Sequence, residues 1–327
     1  MTISILGAGS WSTAIADLLA EKEDVLMYAR DQKLIESINN NHINNKYFPN
    51  NKLKENIKAT SDLEKIFDNK YIVNGIPTQQ VRNVLNKSKD YLKDDNIIIN
   101  LSKGLELNSH KRISEIFKEY KENISYVALT GPSHAEEVIL KMPTTVVSAC
   151  SDKKLAEDIQ KLFVRDYFRV YSSTDVIGAE LGGAIKNILA FGIGMATGLG
   201  YGDNAKAALI TRGIHEMTKF AMVFGAEFET INGLCGIGDL IVTATSEHSR
   251  NNRAGRLVGE GLSIDEVNDK INMVVEGIPT TKSVYELAKD KNIELPITNE
   301  IYNVLFKDKD CSESVKDLMM RDIKSEF

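Results

Sequence analysis

The stretch Glu180-Leu181-Gly182-Gly183-Ala184-Ile185-Lys186-Asn187 lies where the sequence changes character. Before it, short β-branched segments alternate with segments of helical periodicity. After it, almost every segment has helical periodicity. This change predicts an α/β part over residues 1–180 and an all-helical part over residues 181–327.

Lys186 is the candidate catalytic residue of this stretch, because it follows Gly182 and Gly183 in an otherwise apolar run. An unpaired ammonium is costly in such surroundings, whereas two adjacent glycines let a backbone or a ligand come close. The simpler alternative is the start of a helix whose lysine extends to water. The rest of the chain favours a functional lysine.

Composition excludes several classes of protein. The chain has 327 residues, enough for two domains, and its net charge of −6 argues against a nucleic-acid surface. Three widely spaced cysteines predict reduced thiols, and five histidines show no metal-ligand spacing. We find no signal-peptide pattern and no apolar run near the roughly 20 residues of a membrane span. We therefore expect a cytoplasmic protein without a metal and without membrane insertion.

The N-terminal segment has the pattern of a dinucleotide-binding turn. Thr2–Leu6 is predicted to be a buried strand, Gly7 to make a tight turn, and Gly9 to let a pyrophosphate approach the following helix. A second strand, Val25–Tyr28, completes the strand–helix–strand context that this fingerprint requires. Ser12 replaces the third glycine, which serves helix–strand packing, so the departure is tolerable. We predict a Rossmann-like fold that binds a nicotinamide dinucleotide, against the alternative of a structural turn.

The end of the second strand indicates which cofactor binds. A site specific for NAD places an acidic residue about twenty residues past the glycines, but here Arg30 follows the strand and Asp31 comes one residue later. Arg30 can pair with a 2′-phosphate or stack on adenine, so we expect NADPH, with NADH as the alternative. A solvated arginine beside Asp31 is the simpler interpretation. Residues 39–56 predict a loop that folds over the cofactor, although biased composition alone also explains them.

Two further strands lead to the carboxyl edge of the sheet, where open α/β sheets bind ligands. Asn96–Leu101 leads to Lys103, and Ser125–Thr130 leads to Gly131–Glu137. The second of these segments reads as a helix N-terminus, because Pro132 starts it and acidic residues follow. Lys103 is therefore a candidate site residue.

The helical part contains two polar features that suggest a site: Asp239, which lies among apolar residues, and the run Ser249-Arg250-Asn251. Asp239 needs a cationic partner there. Ser249-Arg250-Asn251 offers a guanidinium fork between two polar side chains, which suits a phosphate, although such a run is also typical of a polar loop. Asp203 is predicted to cap a long helix, and a closing helix is predicted near Ile301–Phe306.

Taken together and in this order, eight segments resemble the bacterial NAD(P)-dependent glycerol-3-phosphate dehydrogenases: Gly7–Trp11, Ser102–Glu106, Gly131–Glu137, Glu180–Asn187, Gly202–Gly213, Gly238–Asp239, Ser249–Asn251 and Val274–Gly277. The resemblance covers nearly the whole chain. It implies a Rossmann-like domain (1–180) followed by an all-helical substrate-binding and catalytic domain (181–327), usually in a homodimer. It implies interconversion of dihydroxyacetone phosphate and sn-glycerol 3-phosphate with NADPH or NADH, feeding phospholipid synthesis.

By position, the resemblance implies three catalytic residues. Lys186 matches the proton donor and acceptor, Lys103 a lysine that touches cofactor and substrate, and Asp239 a residue beside the substrate. The other substrate contacts that it implies are Gly131, Ser133, Ser249, Arg250 and Asn251. Besides Gly7 and Gly9, the other cofactor contacts are Ser10, Trp11, Arg30, Ala135, Arg250, Val274 and Glu276. Two departures, Ser12 and His134 (where phenylalanine is common), bear on the shape of the pocket.

These residues suit the reduction of a ketone, which needs a hydride at carbon and a proton at oxygen. The cofactor supplies the hydride, and a buried lysine can supply the proton. Asp239 would orient that lysine, and Arg250 with Asn251 would hold the phosphate and fix the carbonyl.

Two other functions remain open from the residues alone. One is a dehydrogenase of the same architecture that acts on a 3-hydroxy acid or ketopantoate, although Arg250-Asn251 and the two lysines favour a phosphorylated ketone. The other is a non-catalytic module that senses a dinucleotide. The retained lysines argue against this second function, because sensing needs no proton donor.

Overall fold

The computed structural model describes residues 1–323 and 325–326, and the chain divides into two compact units. The sheet unit comprises Met1–Lys103 and Lys111–Glu180. The helical unit comprises Gly104–His110 and the chain from Leu181 onward. The short segment Gly104–His110 therefore groups with the helices although it precedes residue 180.

The sheet unit is built around strands β1 (Thr2–Leu6), β2 (Asp24–Tyr28), β3 (Ile57–Thr60), β4 (Tyr71–Asn74), β5 (Ile97–Asn100), β6 (Ser125–Thr130), β7 (Thr144–Ala149) and β8 (Phe168–Ser173). In the described residues they form one sheet in the order β3-β2-β1-β4-β5-β6-β7-β8. Neighbours are parallel except β6 and β7, which are antiparallel. The predicted α/β, Rossmann-like architecture is confirmed.

Apolar runs explain these strands, and their register aligns the edge that carries candidate residues. All four residues of β5 and four of the five in β1 are buried, as expected for strands covered on both faces. Leu6 pairs with Asn74, and Asn74 pairs with Asn100. The strands β1, β4 and β5 therefore end at the same level of the sheet, and the segments that follow them all begin at its carboxyl edge.

The helices of the sheet unit cross between these strands. In the described residues they are α1 (Ser10–Leu19), α2 (Gln32–Glu36), α3 (Leu63–Phe67), α4 (Val81–Ser88), α5 (Ile113–Tyr120), α6 (Ala135–Ile139) and α7 (Lys153–Phe163), with a π-helical turn at Ser37–Asn41 and a 3-10 turn at Thr78–Gln80. Aspartates cap several N-termini by accepting backbone N–H hydrogen bonds: Asp31, Asp62 and Asp152.

Glu180, the last residue of the sheet unit, has a buried carboxylate that several neighbours hold by hydrogen bonds. Glu180 accepts hydrogen bonds from the Tyr126 hydroxyl at 2.6 Å, the Ser114 backbone N–H at 2.9 Å and the Arg112 guanidinium at 3.0 Å. Burial, together with the negative charge of Glu180, raises the pKa of Tyr126 well above its usual value. These bonds satisfy the buried charge and attach Glu180 to α5 and β6.

The helical unit holds helices and no strand in its described residues. They are α8 (Val176–Gly198, divided between the units after Glu180), α9 (Asp203–Val223), α10 (Phe228–Ile231), α11 (Asp239–Thr245), α12 (Arg250–Gly259), α13 (Ile264–Ile271), α14 (Gly277–Asp290), α15 (Pro296–Phe306) and α16 (Cys311–Met319), with a π-helical turn at Leu234–Gly238.

Two details predicted for this unit are wrong. Asp203 does not cap α9, because Gly202 precedes the helix and Asp203 is its first residue. The carboxylate of Asp203 instead accepts a hydrogen bond from Lys206, one turn later, at 3.2 Å. The helix that contains Ile301–Phe306 does not close the chain, because α16 follows it, capped by Asp310.

The backbones of α8 and α12 touch at four glycines: Gly194, Gly198, Gly255 and Gly259. A Cβ atom on Gly255 would lie 1.9 Å from the carbonyl oxygen of Phe191, and one on Gly194 would lie 2.1 Å from that of Asn252. Real Cβ atoms cannot approach a backbone oxygen so closely, so these glycines are required by the packing of the two helices.

Helix α8, with 23 residues, is long and apolar enough to cross a membrane by length and composition. However, 89% of its most apolar window is buried inside the protein, as in the core helix of a globular protein. The expectation that no apolar run approaches membrane-spanning length is therefore wrong for α8. Glu180 and Lys186 interrupt the apolar pattern of this helix in the sequence, which is why its length was not recognised there.

Candidate active site

Lys186 lies inside the helical unit, where two oxygen atoms hold its ammonium. Its Nζ donates hydrogen bonds to Oδ1 of Asp239 at 2.8 Å and to Oγ1 of Thr243 at 2.6 Å. The side chains of Lys186 and Asp239 are only 8% and 2% exposed. The lysine therefore does not extend to water, and Asp239 has the cationic partner that its surroundings require.

Thr243 is a member of this cluster that sequence reasoning missed. It lies one turn after Asp239 on α11, and its hydroxyl donates to the Asp239 carbonyl oxygen at 2.6 Å while accepting from Lys186. A threonine inside a helix commonly bonds back to residue i−4, so its identity alone carries no signal. The available signal was its spacing of four residues from Asp239, which places both on one helix face.

Gly182 lets the segment before Asp239 approach α8. A Cβ atom on Gly182 would lie 2.7 Å from the carbonyl oxygen of Cys235, which belongs to the π-helical turn that leads directly into α11. Gly182 and Lys186 are four residues apart and share a helix face. The close approach at Gly182 therefore brings Asp239 within reach of Lys186 one turn later.

The polar run Ser249-Arg250-Asn251 forms the start of α12. Ser249 is the N-cap, and its hydroxyl accepts the N–H of Asn252 at 3.2 Å. Arg250 is partly exposed, and its Nη1 donates to the carbonyl oxygen of Val274 at 3.2 Å. Its other guanidinium N–H groups have no partner among the described residues. A guanidinium at the N-terminus of this ten-residue helix suits an anion.

Asn251 connects α8 to α14 through both ends of its amide. Its Nδ2 donates to Oδ1 of Asn187 at 2.9 Å, and its Oδ1 accepts the Gly277 N–H at 2.8 Å. The second Nδ2 proton has no partner within residues 1–323 and 325–326. Asn251 therefore has both a structural role and one donor left for a ligand.

Val274 and Glu276, which the resemblance implies as cofactor contacts, lie immediately before α14. The Val274 side chain is 44% exposed, and its carbonyl oxygen is the acceptor of Arg250. Glu276 directly precedes α14, and its carbonyl oxygen accepts the Thr280 N–H at 3.2 Å. The structure thus links Val274 directly to the polar run of α12.

The turn after β1 fits a dinucleotide. Gly7 has φ of +109°, a region that favours glycine. Gly9 has an ordinary φ of −73°, and a Cβ atom there would meet no atom of the described residues within 4 Å. Neither strain nor crowding by the described residues requires glycine at position 9, and a residue without a side chain leaves room there for the close approach of a ligand. Ser10 and Trp11 follow as the first residues of α1, whose first N–H groups have no intrahelical acceptor.

Ser12 occupies the third fingerprint position without loosening the contact between helix and sheet. It is 1% exposed, and its Oγ donates to the Gly75 carbonyl oxygen at 3.2 Å. A Cβ atom on Gly75 would lie 2.1 Å from that Oγ. Gly75, directly after β4, therefore supplies the space that a third glycine in α1 would otherwise supply.

Arg30 is exposed just past β2, and Asp31 is not its partner. Asp31 caps α2, where its Oδ1 accepts the Lys33 N–H at 2.9 Å. Arg30 forms no ion pair with any residue that the structure describes. Arg30 is therefore solvated, as the simpler interpretation has it, and its guanidinium is also accessible to a ligand.

Lys103, Gly131 and Ser133 meet at the carboxyl edge of the sheet. The Gly131 carbonyl oxygen accepts hydrogen bonds from Nζ of Lys103 at 3.2 Å and from Oγ of Ser133 at 2.9 Å. Ala135 is the buried first residue of α6, and His134 immediately precedes it. The segment after β5, which carries Lys103, and the segment after β6, which carries Ser133, are thus joined by one shared acceptor, the Gly131 carbonyl oxygen.

A buried asparagine network before Lys103 was not anticipated from the sequence. Nδ2 of Asn74 donates to Oδ1 of Asn100 at 2.8 Å, and Nδ2 of Asn100 donates to the Ser102 carbonyl oxygen at 2.9 Å. Both asparagines end strands and face each other in register. Their bonds fix the backbone of the residue that precedes Lys103.

Two family models cover most of the chain. The model described as NAD-dependent glycerol-3-phosphate dehydrogenase N-terminus matches residues 2–156, and the corresponding C-terminus model matches residues 175–316. The glycerol-3-phosphate dehydrogenase (NAD(P)+) of Clostridium botulinum, strain Eklund 17B, is 47% identical over an alignment of 327 positions that covers 99% of each chain. The protein of the same name from Halothermothrix orenii is 49% identical, covering 99% of this chain and 96% of that protein.

A solved structure agrees with these matches. The crystal structure of glycerol-3-phosphate dehydrogenase from Coxiella burnetii matches with a TM-score of 0.94 at 35% identity, and the match covers 98% of this chain and 99% of that one. The fold, the chain length and the sequence therefore all match those of glycerol-3-phosphate dehydrogenases. The chain belongs to the NAD-dependent glycerol-3-phosphate dehydrogenase family and is an NAD(P)-dependent oxidoreductase.

Proposed function

We propose that this chain interconverts dihydroxyacetone phosphate and sn-glycerol 3-phosphate, and that Lys186 transfers the proton. The observation that carries the proposal is the buried ammonium held by Asp239 and Thr243 in a chain of this family. A dinucleotide sensor has no use for such a group. The sheet unit (within 1–180) would bind the dinucleotide, and the helical unit (largely 181–327) would bind the substrate.

Lys186 would give its proton to the carbonyl oxygen as the ketone is reduced and take it back in the reverse reaction. When bound, the nicotinamide supplies or accepts the hydride. Asp239 and Thr243 each accept a hydrogen bond from the ammonium, so its orientation is restricted before the substrate binds. This preorganisation reduces the entropy that orienting the proton donor would otherwise cost.

Arg250 and Asn251 are the proposed phosphate ligands. The guanidinium offers its N–H groups beyond the one bonded to Val274, and Asn251 offers its second amide proton. Ser249 contributes by capping α12: its hydroxyl accepts the Asn252 N–H and so fixes the start of the helix that carries Arg250 and Asn251. A dianionic phosphate held in this way would fix the position of the carbonyl two bonds from the ester oxygen.

On the cofactor side, we propose that Gly7, Gly9 and the first residues of α1 bind the pyrophosphate, and that Arg30 binds the 2′-phosphate of NADPH. Gly9 supports this proposal, because no described atom lies within 4 Å of the position its Cβ would take, although glycine is also favoured as the N-cap of a helix. Lys103, held to the Gly131 carbonyl oxygen, is proposed to contact cofactor and substrate, as the resemblance implies.

The test is the oxidation of NADPH and of NADH, followed by absorbance, in the presence of dihydroxyacetone phosphate. Unphosphorylated dihydroxyacetone is the matched control for the phosphate, and ketopantoate and a 3-oxo acid test the alternative dehydrogenases. We expect rapid turnover with dihydroxyacetone phosphate and only feeble reduction of unphosphorylated dihydroxyacetone. Faster turnover of an unphosphorylated ketone would contradict the proposal.

By the same resemblance, we propose a homodimer that acts in the cytoplasm and supplies sn-glycerol 3-phosphate for phospholipid synthesis. Sedimentation velocity tests the dimer, for which we expect about twice the mass of the 36.4 kDa chain. A single species at the monomer mass would contradict it.

A further inference from the structure

The asparagine-rich segment 39–56 is attached along the length of α1. Asn44 bonds near the start of the helix, Lys54 bonds to the carboxylate of Asp17 in its second half at 2.8 Å, and Asn56 bonds at its C-terminal end. Biased composition therefore does not explain these side chains, since each has a specific acceptor. The segment supports the helix that begins at the glycine turn.

Asn44 is the residue of this segment that reaches the turn itself. Its side chain is 0% exposed. Nδ2 donates to the Ala8 carbonyl oxygen at 3.0 Å and to Oγ1 of Thr13 at 2.8 Å, while Oδ1 accepts the Tyr47 N–H at 3.3 Å. Both protons of the amide are thus used on the turn and on α1, and none faces solvent.

Thr13 extends this connection to Gly9. The Thr13 hydroxyl accepts from Asn44 and donates to the Gly9 carbonyl oxygen at 2.8 Å. Asn44 therefore bonds directly to Ala8 and, through one hydroxyl, to Gly9. Ala8 and Gly9 lie between Gly7 and α1. Two of the three residues in the turn Gly7–Gly9 are glycines, so its backbone has unusual conformational freedom.

We infer that Asn44 is a positioning residue for the dinucleotide: it holds the turn Gly7–Gly9 in the conformation that accepts the pyrophosphate, without touching the cofactor. The inference rests on the proposed function, because it takes this turn as the pyrophosphate site. A turn with two glycines must lose conformational freedom to bind a ligand, and that loss weakens affinity unless the free protein has already fixed the turn. A buried side chain with every donor used provides such support.

The test compares Asn44→Leu with Asn56→Leu. Leucine is close in size to asparagine but can make none of its hydrogen bonds. Asn56 donates to the carbonyl oxygens of Ala20 at 3.0 Å and Glu23 at 2.7 Å, so this control removes the same number of donors at the far end of α1. Trp11, the only tryptophan in the chain, lies at the start of α1 and reports NADPH binding by fluorescence.

We expect Asn44→Leu to raise the Kd for NADPH about tenfold, the scale of one lost buried hydrogen bond, with the KM for dihydroxyacetone phosphate at saturating NADPH unchanged. Asn56→Leu should lower the melting temperature similarly but keep the Kd within about twofold. An unchanged Kd in Asn44→Leu, or an equal rise in Asn56→Leu, would show that the segment only stabilises the fold.

Thr13→Val provides a second, smaller variant if Asn44→Leu does not fold, because it removes only the hydroxyl between Asn44 and Gly9. We expect the Kd for NADPH to rise about threefold, and an unchanged Kd in this variant overturns the inference. A wild-type protein that binds NADPH but does not reduce dihydroxyacetone phosphate would reject the proposed substrate and leave the role of Asn44 standing. The proposed substrate and the proposed role of Asn44 can therefore be rejected independently of each other.

Discussion

The ammonium of Lys186 lies 2.8 Å from a carboxylate oxygen of Asp239, and both side chains are almost completely buried. Removing two charges from water costs several kcal/mol, which their attraction offsets only in good geometry. A pair of apolar residues would serve stability as well or better. The pair is therefore explained by the proposed proton transfer, and stability and activity should separate in its variants.

Replacing Lys186 with alanine should lower kcat by at least about a hundredfold, because that is the usual scale for the loss of a general acid. NADPH binding, followed by Trp11 fluorescence, should survive, since the glycine turn is unchanged. Steady-state kinetics with dihydroxyacetone phosphate give the answer. Turnover within a few-fold of the wild type would mean that another group supplies the proton.

The variant Asp239→Ala should destabilise the protein by about 3–5 kcal/mol, because it removes the negative charge that compensates a buried ammonium. The double variant Lys186→Met/Asp239→Leu should recover most of that loss while remaining inactive. Urea unfolding measures both. Equal stability of the single and double variants would show that the charge of Lys186 is satisfied without Asp239.

Arg250→Ala should raise the KM for dihydroxyacetone phosphate at saturating coenzyme. A lost hydrogen bond to a charged group costs roughly 1.5–3 kcal/mol, or about ten- to more than a hundredfold. Arg253→Ala is the matched control, because Arg253 lies one turn later on α12 and is exposed. The feeble reduction of unphosphorylated dihydroxyacetone should change little. If KM is the same in both arginine variants, Arg250 does not hold the phosphate.

Arg30→Ala should weaken NADPH binding more than NADH binding, because only NADPH loses a charge-assisted pair. The Kd of each coenzyme can be measured by the fluorescence of Trp11. High salt should reduce the difference, since an exposed pair is screened. Equal losses for the two coenzymes would assign Arg30 to stacking on adenine, and no loss would place it in solvent.

Stability should depend on pH through Glu216, which is 5% exposed and accepts the backbone N–H of Ile297 at 2.6 Å at the start of α15. Burial raises the pKa of Glu216 from 4.5 to about 7, and its hydrogen bonds to Ile297 and Thr298 oppose that shift. The folded state therefore keeps a proton that the unfolded state releases. The stabilising contribution is fully present below about pH 4.5 and is lost as pH rises to about 7.

Relative to Glu216→Gln, which cannot ionise, the free energy of unfolding of the wild type should fall by about 3 kcal/mol over that range. Urea unfolding from pH 4.5 to pH 8 measures the difference. Glu229→Gln, at an exposed position, is the control and should show no such trend. A flat difference for Glu216 would mean that the hydrogen bonds cancel the effect of burial on its pKa.

The sequence predicted the sheet, the glycine turn and the pairing of Asp239 with a cation, because each follows from a local pattern. Strands buried on both faces must be apolar runs, and a carboxylate among apolar residues must have a partner. Thr243 and Asn44 could not be found in this way. Their roles depend on partners that lie far away in the chain: the Lys186 donor for Thr243, and the Ala8 and Thr13 acceptors for Asn44. Both residue types are also common in unrelated positions.

The asparagines near the sheet edge show the same limit. Asn74 and Asn100 end strands that read as ordinary apolar runs, and only the register of β4 against β5 brings their amides together. Asp203 was misassigned for a smaller reason. An aspartate at the first position of a helix and one at the cap before it look alike in sequence, and a neighbouring glycine can take the cap.

The glycine contacts between α8 and α12 have a consequence for substrate size. Lys186 is carried by α8 and Arg250 by α12, so the separation of the proposed proton donor and the proposed phosphate ligand follows the separation of the two helix axes. A methyl group at Gly255 would meet the Phe191 carbonyl oxygen at 1.9 Å and force the helices apart. The length of molecule that can reach both residues is thus set in part by glycines that never contact it.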